Sequence, residues 1–330
     1  MTLFLVFAYL PVFLPFFHLK NDLISQNLPT RYVISESLYS GYFPWWNPYI
    51  NFGIPQYGDM NNGFWNPFMW FVAKTVGYNI WTITYEEMFY ILIGGWGIYK
   101  VIRELGIEKG IAIVSAFSYM SCGYIVGHLQ HFCWITGAGF FPYVFLFLLK
   151  INKSPTLKNY ILGAIAVFLF VSSTHPGLVI GAAYFFLFTF IAIVVLRKNV
   201  TRRFYHPRFL LVNLIFFVLA LISSIGVIIS DLDVLRHISR GSKPPLSESL
   251  LEPTTLQCYL SLLFPLAVTK SSFFVTDISM RNVFIGMASL AGFIFLFQYF
   301  NKRILATAAF VMLFFIFLAF SSRLAEYLRL

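Results

Sequence analysis

The residue best placed for acid–base chemistry is Asp22, in the run N-D-L-I-S-Q-N-L-P-T-R from Asn21 to Arg31. It follows a predicted membrane span at residues 2–18 by a few residues, so its carboxylate should lie at the membrane surface. There it could reach the headgroup of a lipid-linked substrate and take a proton from an acceptor hydroxyl as a general base. One carboxylate carries little specificity, and an aspartate at a helix end beside the membrane is an equally good interpretation.

The next part of the same segment, G-Y-F-P-W-W-N-P-Y-I-N-F-G-I-P from Gly41 to Pro55, combines turn residues with aromatic rings. Its prolines and its late glycine predict turns. The rings could stack on a sugar face or anchor the segment among lipid headgroups, and anchoring is the commoner role. These rings are Trp45, Trp46 and Tyr49.

Two neighbouring carboxylates, Glu86 and Glu87, lie inside a predicted span at residues 80–101. Carboxylates within a membrane are costly and usually face protein or a water-filled cavity. Adjacent helical residues point about 100° apart, so at most one of the two is expected to point into a site. The competing interpretation is that both reach the interface or pair with a neighbour.

The run H-L-Q-H-F-C places His128, His131 and Cys133 in a short turn, and a histidine pair at this spacing can bind zinc. The sequence fixes no third ligand, so a metal site stays unknown and a divalent metal cofactor stays open. His175, before Pro176, and Arg31 could bind a donor phosphate, for which the planar fork of arginine is well suited. Both could instead contact lipid headgroups.

The composition of the chain predicts which kind of secondary structure holds these residues in place. Of 330 residues, 59% are hydrophobic and 11% are charged, and the mean hydropathy is +0.76. Long apolar runs without strand-like alternation predict an all-α integral membrane protein rather than a barrel. The formal net charge of +10 comes from short basic clusters, and without a continuous basic face we expect no nucleic-acid partner.

Hydropathy predicts about nine transmembrane helices, and the basic residues predict their orientation. The predicted spans are residues 2–18, 80–101, 111–127, 134–149, 159–174, 177–196, 209–229, 283–300 and 304–320. With the N-terminus inside the cell, the cytoplasmic loops hold 13 of the 23 Lys and Arg residues. This orientation leaves two long extracytoplasmic segments, residues 19–79 and 230–282. We expect the first to carry short interfacial helices and the second to carry a re-entrant or interfacial apolar stretch.

The first segment resembles that of YfhO-type bacterial membrane proteins, which are similar to the GT-C class of polyprenyl-phosphate-sugar-dependent glycosyltransferases. The matching residues are Asp22, Gln26, Pro29, Gly41, Pro44, Trp46, Asn47, Pro48, Tyr49, Gly53 and Pro55. Weaker matches are S-C-G-Y from Ser121, Gln130, Pro142 and T-H-P-G from Thr174. The resemblance covers essentially the whole chain, 1–330, as a single transmembrane domain. Members of the family generally run further, so we expect the chain to be the N-terminal part of a longer architecture.

The resemblance implies a GT-C-like fold with its active face outside the cytoplasmic membrane and Asp22 as the catalytic base. Gln26, Asp59 and Glu86 are candidates for supporting roles, and Arg31 and His175 for donor-phosphate binding. The implied partners are membrane lipids, a polyprenyl-phosphate-linked sugar, and a cell-envelope polymer or protein acceptor. The absence of a Walker-type motif agrees with a donor that arrives on a lipid.

Two other functions remain open. A transporter or flippase of lipid-linked intermediates should carry charged residues in the middle of its spans. The predicted spans are nearly free of charge, which favours an enzyme. A non-catalytic subunit of envelope assembly is the third alternative, because the chain is short for the family.

Overall fold

The computed structural model describes residues 1–14, 17–59, 61–196, 206–235, 255–269 and 276–290, with isolated positions at 237, 274, 292 and between 302 and 316. The chain divides into two compact units. The first unit contains residues 1–120, 128–179 and 213–241. The second contains residues 121–127, 180–212 and 242–330.

Helices make up nearly all of the regular structure in the described residues. In chain order they are α1 Thr2–Ala8, α2 Leu10–Phe13, a π-helical turn Leu23–Asn27, α3 Leu28–Tyr39, α4 Pro67–Thr75, α5 Ile80–Glu104, α6 Lys109–Met120, α7 Gly123–Gly127, α8 Phe132–Lys153, α9 Leu157–Ser173, α10 Pro176–Leu196 and α11 Pro207–Leu235. Two 3₁₀ helices follow, Leu256–Leu262 and Pro265–Thr269. The strands are β1 Trp46–Asn47 and β2 Ile54–Pro55.

Three helical stretches in the described part of the chain are long and apolar enough to cross a membrane: Lys109–Gly127, Phe132–Lys153 and Pro207–Leu235. In the third, only 17% of the most apolar window is buried. So large an exposed apolar surface is typical of a helix in contact with lipid. The fold is therefore that of an α-helical protein with membrane-spanning character.

The expectation of about nine spans is met only in part. Helix α9 and the stretch Pro176–Ala192 of α10 are apolar but shorter, and the two glutamates of α5 lower its hydropathy. The predicted span at 2–18 is broken at Tyr9, where Pro11 lacks the N–H that would continue the helix. About half of the positions in the predicted spans at 283–300 and 304–320 lie outside the described residues.

Helices α5 and α8 approach closely because small residues meet at their contact. A side-chain carbon on Gly139 would lie 2.8 Å from the carbonyl oxygen of Tyr90, and one on Gly97 would lie 2.8 Å from Pro142. Pro142 lies inside α8 and cannot donate to the carbonyl four residues earlier. The Tyr119 hydroxyl donates to that carbonyl, of Ala138, at 2.7 Å. Small residues and a side-chain donor thus allow a proline-containing helix in the core of the first unit.

Polar side chains join the end of α8 and the middle of α9 to α11. Asn152 and Asn213 exchange amide hydrogen bonds of 3.0 and 2.9 Å. The Ser223 hydroxyl donates to the carbonyl of Ala164 at 3.2 Å. Such bonds between helices hold a bundle together where apolar burial supplies little driving force.

The first long segment, residues 19–79, is ordered by helix caps. The Asn66 side chain accepts from the N–H of Phe68 at the start of α4. Asn79 and Thr82 form a reciprocal capping box at the start of α5. The prediction of short helices in this segment therefore agrees with α3 and α4, although their location at a membrane interface stays a prediction.

The prediction missed a β-hairpin in the same segment. Strands β1 and β2 pair antiparallel, with Trp46 opposite Pro55 and Asn47 opposite Ile54. The predicted turn residues build its tip, where Asn51 and Phe52 have positive φ and Gly53 has φ +113°. Glycine is required there, since a side-chain carbon would meet the Trp46 ring at 2.5 Å.

The second long segment, residues 230–282, begins as helix rather than as a loop. Helix α11 continues to Leu235, so Asp231 and Asp233 lie on its last turns. The apolar stretch from Leu256 forms the two 3₁₀ helices, with a break before Pro265. In the second unit, the N–H of Gly123 in α7 donates to the carbonyl of Phe284 at 2.6 Å. The residues that directly follow this long segment therefore contact α7.

Candidate functional site

Asp22 stands at the start of a helix but does not cap it. The π-helical turn begins at the next residue, and the Asp22 side chain makes no capping hydrogen bond. Pro29 follows the turn at the start of α3. A proline excludes the ordinary bond to the carbonyl four residues earlier, and π-helical turns occur frequently at functional sites.

The Asp22 carboxylate faces an imidazole. Its Oδ2 lies 3.5 Å from Nε2 of His131, and the two side chains are 41% and 24% exposed. The neighbouring Asn21 has φ +56°. Its amide donates to Oε1 of Gln130 at 2.5 Å, which joins the start of the π turn to the loop before α8. Asp22 is thus partly open to solvent and oriented by the loop at residues 128–131.

A row of rings continues from His131 to His175. The ring centres of His131 and His128 are 5.7 Å apart, and those of His128 and Trp134 are 5.1 Å apart. Trp134 stacks on His175 at 4.9 Å with an interplanar angle of 15°. His175 Nδ1 accepts from the N–H of Gly177 at 3.1 Å, which fixes the ring at the start of α10.

A buried ion pair joins α3 of the first long segment to α5. NH1 of Arg31 is 3.2 Å from Oε2 of Glu86, and both side chains are almost fully buried. Tyr78 donates to Glu86 Oε2 at 2.7 Å, and Tyr90 donates to Oε1 at 3.0 Å. The Phe132 ring covers the guanidinium at 4.0 Å. The Glu86 carboxylate is therefore satisfied by three donor groups from the loop before α5, from α5 and from α3.

Two further hydrogen bonds hold Arg31 inside the protein, whereas its Nε has no hydrogen-bond partner among the described residues. NH1 donates to the Tyr78 hydroxyl at 2.7 Å and NH2 to the carbonyl of Asn62 at 2.8 Å. Burial alone would lower the pKa of Arg31, but its interactions with Tyr78 and Glu86 outweigh it and raise this pKa. Burial raises the pKa of Tyr78 against the opposing charge of Arg31, so its phenol stays a neutral donor. The predicted phosphate role of Arg31 would require the guanidinium to exchange these partners, and it stays a prediction.

Glu87 is as buried as Glu86 but differs in its contacts. The two residues are 0% and 4% exposed, so both side chains are covered by protein. Glu86 pairs with Arg31 of α3, as the competing interpretation allowed, and whether either carboxylate points into a site stays a prediction. Among the described residues, neither oxygen of Glu87 has a hydrogen-bond partner.

A chain of amide groups through Asn62 connects the ion pair to Asp59, because the backbone carbonyl of Asn62 accepts from Arg31. The side chain of Asn62 accepts from Asn27 at 2.9 Å and donates to Asp59 Oδ2 at 2.5 Å. The other oxygen of Asp59 accepts from the N–H of Asn61 at 3.0 Å. Asp59 is thus held by its own loop, next to Tyr57, whose hydroxyl donates to Asp233 at 2.8 Å.

The predicted site residues fall into separate places. Asp22 lies beside His131, whereas Arg31 and Glu86 form the buried pair and Asp59 lies at the end of the amide chain. Gln26 is exposed on the π turn, and His175 ends the row of rings. The predicted loop residues Trp46, Asn47, Pro48, Gly53 and Pro55 belong to the hairpin.

Residues that the sequence did not single out complete these contacts. Tyr78, Tyr90 and Asn62 lie far from Arg31 along the chain, so no local spacing marks them. His131 was considered only as a zinc ligand, and its contact with Asp22 across more than a hundred residues has no sequence signal. Within the described ranges, no group of three His, Cys, Asp or Glu residues is arranged to hold a metal.

No protein-family model matches the chain, and no curated protein matches it either. The resemblance to the YfhO-type and GT-C proteins therefore stays an expectation that depends on the residues quoted for it.

Proposed function

We propose that the protein is a membrane glycosyltransferase that moves a sugar from a polyprenyl-phosphate donor to a cell-envelope acceptor on the extracytoplasmic face. The observation that carries the proposal is the state of Asp22. Its carboxylate is partly exposed, makes no helix cap and faces His131. A partly exposed carboxylate that an imidazole orients is suited to take a proton from an acceptor hydroxyl.

The proposed reaction is a single displacement at the anomeric carbon. Asp22 takes the proton of the acceptor hydroxyl, whose oxygen forms the new glycosidic bond. The bond from the anomeric carbon to the lipid phosphate breaks, and the phosphate leaves with its negative charge. His131 orients the carboxylate through its contact at Nε2.

His175 supports the departing phosphate better than Arg31 does. Its ring is half-buried at the start of α10, at the end of the row of rings that begins at His131 beside Asp22. The Arg31 guanidinium is engaged with Glu86, Tyr78 and Asn62. We therefore assign the phosphate role first to His175.

The test is sugar transfer by Asp22→Asn in proteoliposomes that contain a polyprenyl-phosphate hexose or N-acetylhexosamine, read as release of the free polyprenyl phosphate. The amide keeps the volume but cannot act as a base, so transfer should fall by about a hundredfold or more. Glu108→Gln, which removes a carboxylate from an exposed turn, is the matched control. Turnover near that of the wild type in Asp22→Asn would overturn the mechanism.

One observation favours the transporter alternative. Glu87 is a fully buried carboxylate without a partner among the described residues, and such groups often lie on ion or proton pathways in membrane proteins. In that case Glu87→Gln should abolish movement of a fluorescent lipid-linked saccharide between leaflets, while Asp22→Asn should leave it unchanged. If the protein is a glycosyltransferase, Asp22→Asn should lose sugar transfer in the transfer assay and Glu87→Gln should keep it.

A further inference from the structure

Helix α3 has two different faces. Its buried face carries Arg31 with Ile34 and Ser35. The opposite face carries Tyr32, Glu36 and Ser40, spaced by four residues, with Ser37 beside them. Residues three and four apart share a helix face, so these polar and aromatic side chains form one continuous stripe.

The chain after α3 folds back over this stripe. The helix ends in a Schellman motif, in which the N–H of Tyr42 donates to the carbonyl of Ser37 at 2.9 Å and that of Gly41 to Leu38 at 3.2 Å. Gly41 has φ +81°, which suits a residue without a side chain. The motif brings Tyr42 back beside the stripe, and the turn after β1 brings Tyr49, whose N–H donates to the Asn47 side chain.

These elements enclose a cleft of about 640 Å³. Its size lies within the range of about 300–1,000 Å³ that is usual for small-molecule sites. The side chains that concern us are three tyrosines, one carboxylate and two serines: Tyr32, Tyr42, Tyr49, Glu36, Ser37 and Ser40. Tyr32, Tyr42 and Tyr49 are 52%, 74% and 81% exposed, so their rings are available to a ligand.

We propose that this cleft is a saccharide-binding site. Tyrosine rings offer flat apolar faces to the C–H groups of a sugar ring and a polar edge to its hydroxyls. The Glu36 carboxylate makes no hydrogen bond to another described side chain, and it can accept two bonds from neighbouring sugar hydroxyls. Ser37 and Ser40 add hydroxyl groups that both donate and accept.

The charge of the cleft favours a saccharide over a lipid headgroup. Among the described residues, its lining contains one carboxylate and no lysine or arginine. A phosphate group would meet repulsion from Glu36 and no cation, whereas a neutral or amino sugar would meet acceptors and rings. The proposed ligand is therefore an uncharged or basic oligosaccharide.

The identification of this saccharide as the acceptor rests on the proposed function, but the binding itself does not. Binding is measured without any donor and without turnover. Saccharide binding together with normal transfer by Asp22→Asn would remove the proposed mechanism and leave the cleft assignment intact. Transfer that depends on Asp22, without any saccharide binding, would remove the cleft assignment and leave the proposed mechanism intact.

The experiment uses protection from a thiol reagent in lipid nanodiscs. A Ser40→Cys variant is labelled with a water-soluble maleimide in the presence of tetrasaccharides of glucose or of N-acetylglucosamine. We expect saturable slowing of the labelling rate by at least threefold with one of them. A Glu108→Cys variant, on an exposed turn outside the cleft, should show no protection.

Three substitutions in the Ser40→Cys background test the chemistry of the site. Tyr32→Ala and Glu36→Gln should each raise the half-protecting saccharide concentration about fivefold or more. Tyr39→Ala is the matched control, since Tyr39 is exposed on the same helix but lies beside Gly77 and Lys74. The proposal is overturned if neither saccharide protects, if all three variants behave alike, or if labelling responds only to the lipid composition of the nanodisc.

Discussion

The Arg31 guanidinium and the Glu86 carboxylate lie 3.2 Å apart, with side chains 1% and 2% exposed. Arg31 belongs to α3 and Glu86 to α5, so the contact fixes the first long segment to a core helix. A buried pair contributes little net stability compared with apolar packing, but loss of one partner leaves an uncompensated charge. This asymmetry makes the pair sensitive to single substitutions.

Glu86→Gln and Glu87→Gln should differ greatly although the residues are neighbours. Glu86→Gln leaves the Arg31 charge without its partner and should lower the free energy of unfolding by about 3–5 kcal/mol. Glu87→Gln removes no hydrogen bond seen among the described residues and should cost less than about 1 kcal/mol. Thermal unfolding in detergent, followed by circular dichroism, measures both. Equal losses would show that the two carboxylates are equivalent.

Arg31→Lys should lower the unfolding temperature even though the charge is kept. One ammonium cannot reach Glu86, Tyr78 and the Asn62 carbonyl in the geometry of the guanidinium. Binding of a polyprenyl-phosphate sugar to the folded fraction then separates the two roles. Unchanged donor affinity would mean that Arg31 only stabilises the fold. A large loss of affinity would support the predicted phosphate contact.

His131→Gln should weaken transfer less than Asp22→Asn does, because the imidazole orients the base and does not itself take the proton. The double variant should be no slower than Asp22→Asn alone, since His131 acts through Asp22. The measurement is initial rates of polyprenyl phosphate release. Independent, multiplicative losses would mean that His131 has a separate function.

Gly139→Ala and Gly181→Ala should have opposite effects on stability. At Gly139 the added carbon would lie 2.8 Å from the backbone oxygen of Tyr90, whereas no described atom lies within 4 Å at Gly181. Alanine is favoured over glycine in a helix by roughly 0.5–1 kcal/mol, so Gly181→Ala should be neutral or stabilising. Gly139→Ala should lower the unfolding temperature because a helix backbone cannot easily move. The same scan that compares the glutamate variants checks this pair.

The predicted orientation is open to a labelling test at two described serines. Ser40→Cys in the first long segment should react with an impermeant maleimide in intact cells, whereas Ser154→Cys in the basic loop after α8 should react only after lysis. Both serines are exposed. The basic residues near Ser154 are the physical basis, since such loops stay on the cytoplasmic side. Reaction of Ser154→Cys from outside would reverse the orientation.

Helix positions were largely predictable, because apolar runs and their caps are local. The described bounds of α8, α9 and α10 lie close to the predicted spans at 134–149, 159–174 and 177–196. Pro11 breaks the first helix, an effect that mean hydropathy does not register. The hairpin was missed because its strands have only two residues each, too few for an alternating pattern.

The contacts of the site were much less predictable. Asp22 was singled out by its position, but its imidazole neighbour comes from a loop 109 residues later. The ion pair joins residues 55 apart, and both partners had other assignments from sequence. Pairings of this kind depend on how helices pack, and one sequence carries no direct signal for them.

The ion pair also has a consequence for biosynthesis. The ribosome makes Arg31 well before Glu86, and a chain folds as it emerges from its N-terminus. Until α5 has been synthesised, the arginine has no Glu86 carboxylate to pair with. We expect the first long segment to remain protease-sensitive in nascent chains that end before Glu86, and to become resistant once α5 and Phe132 have been added.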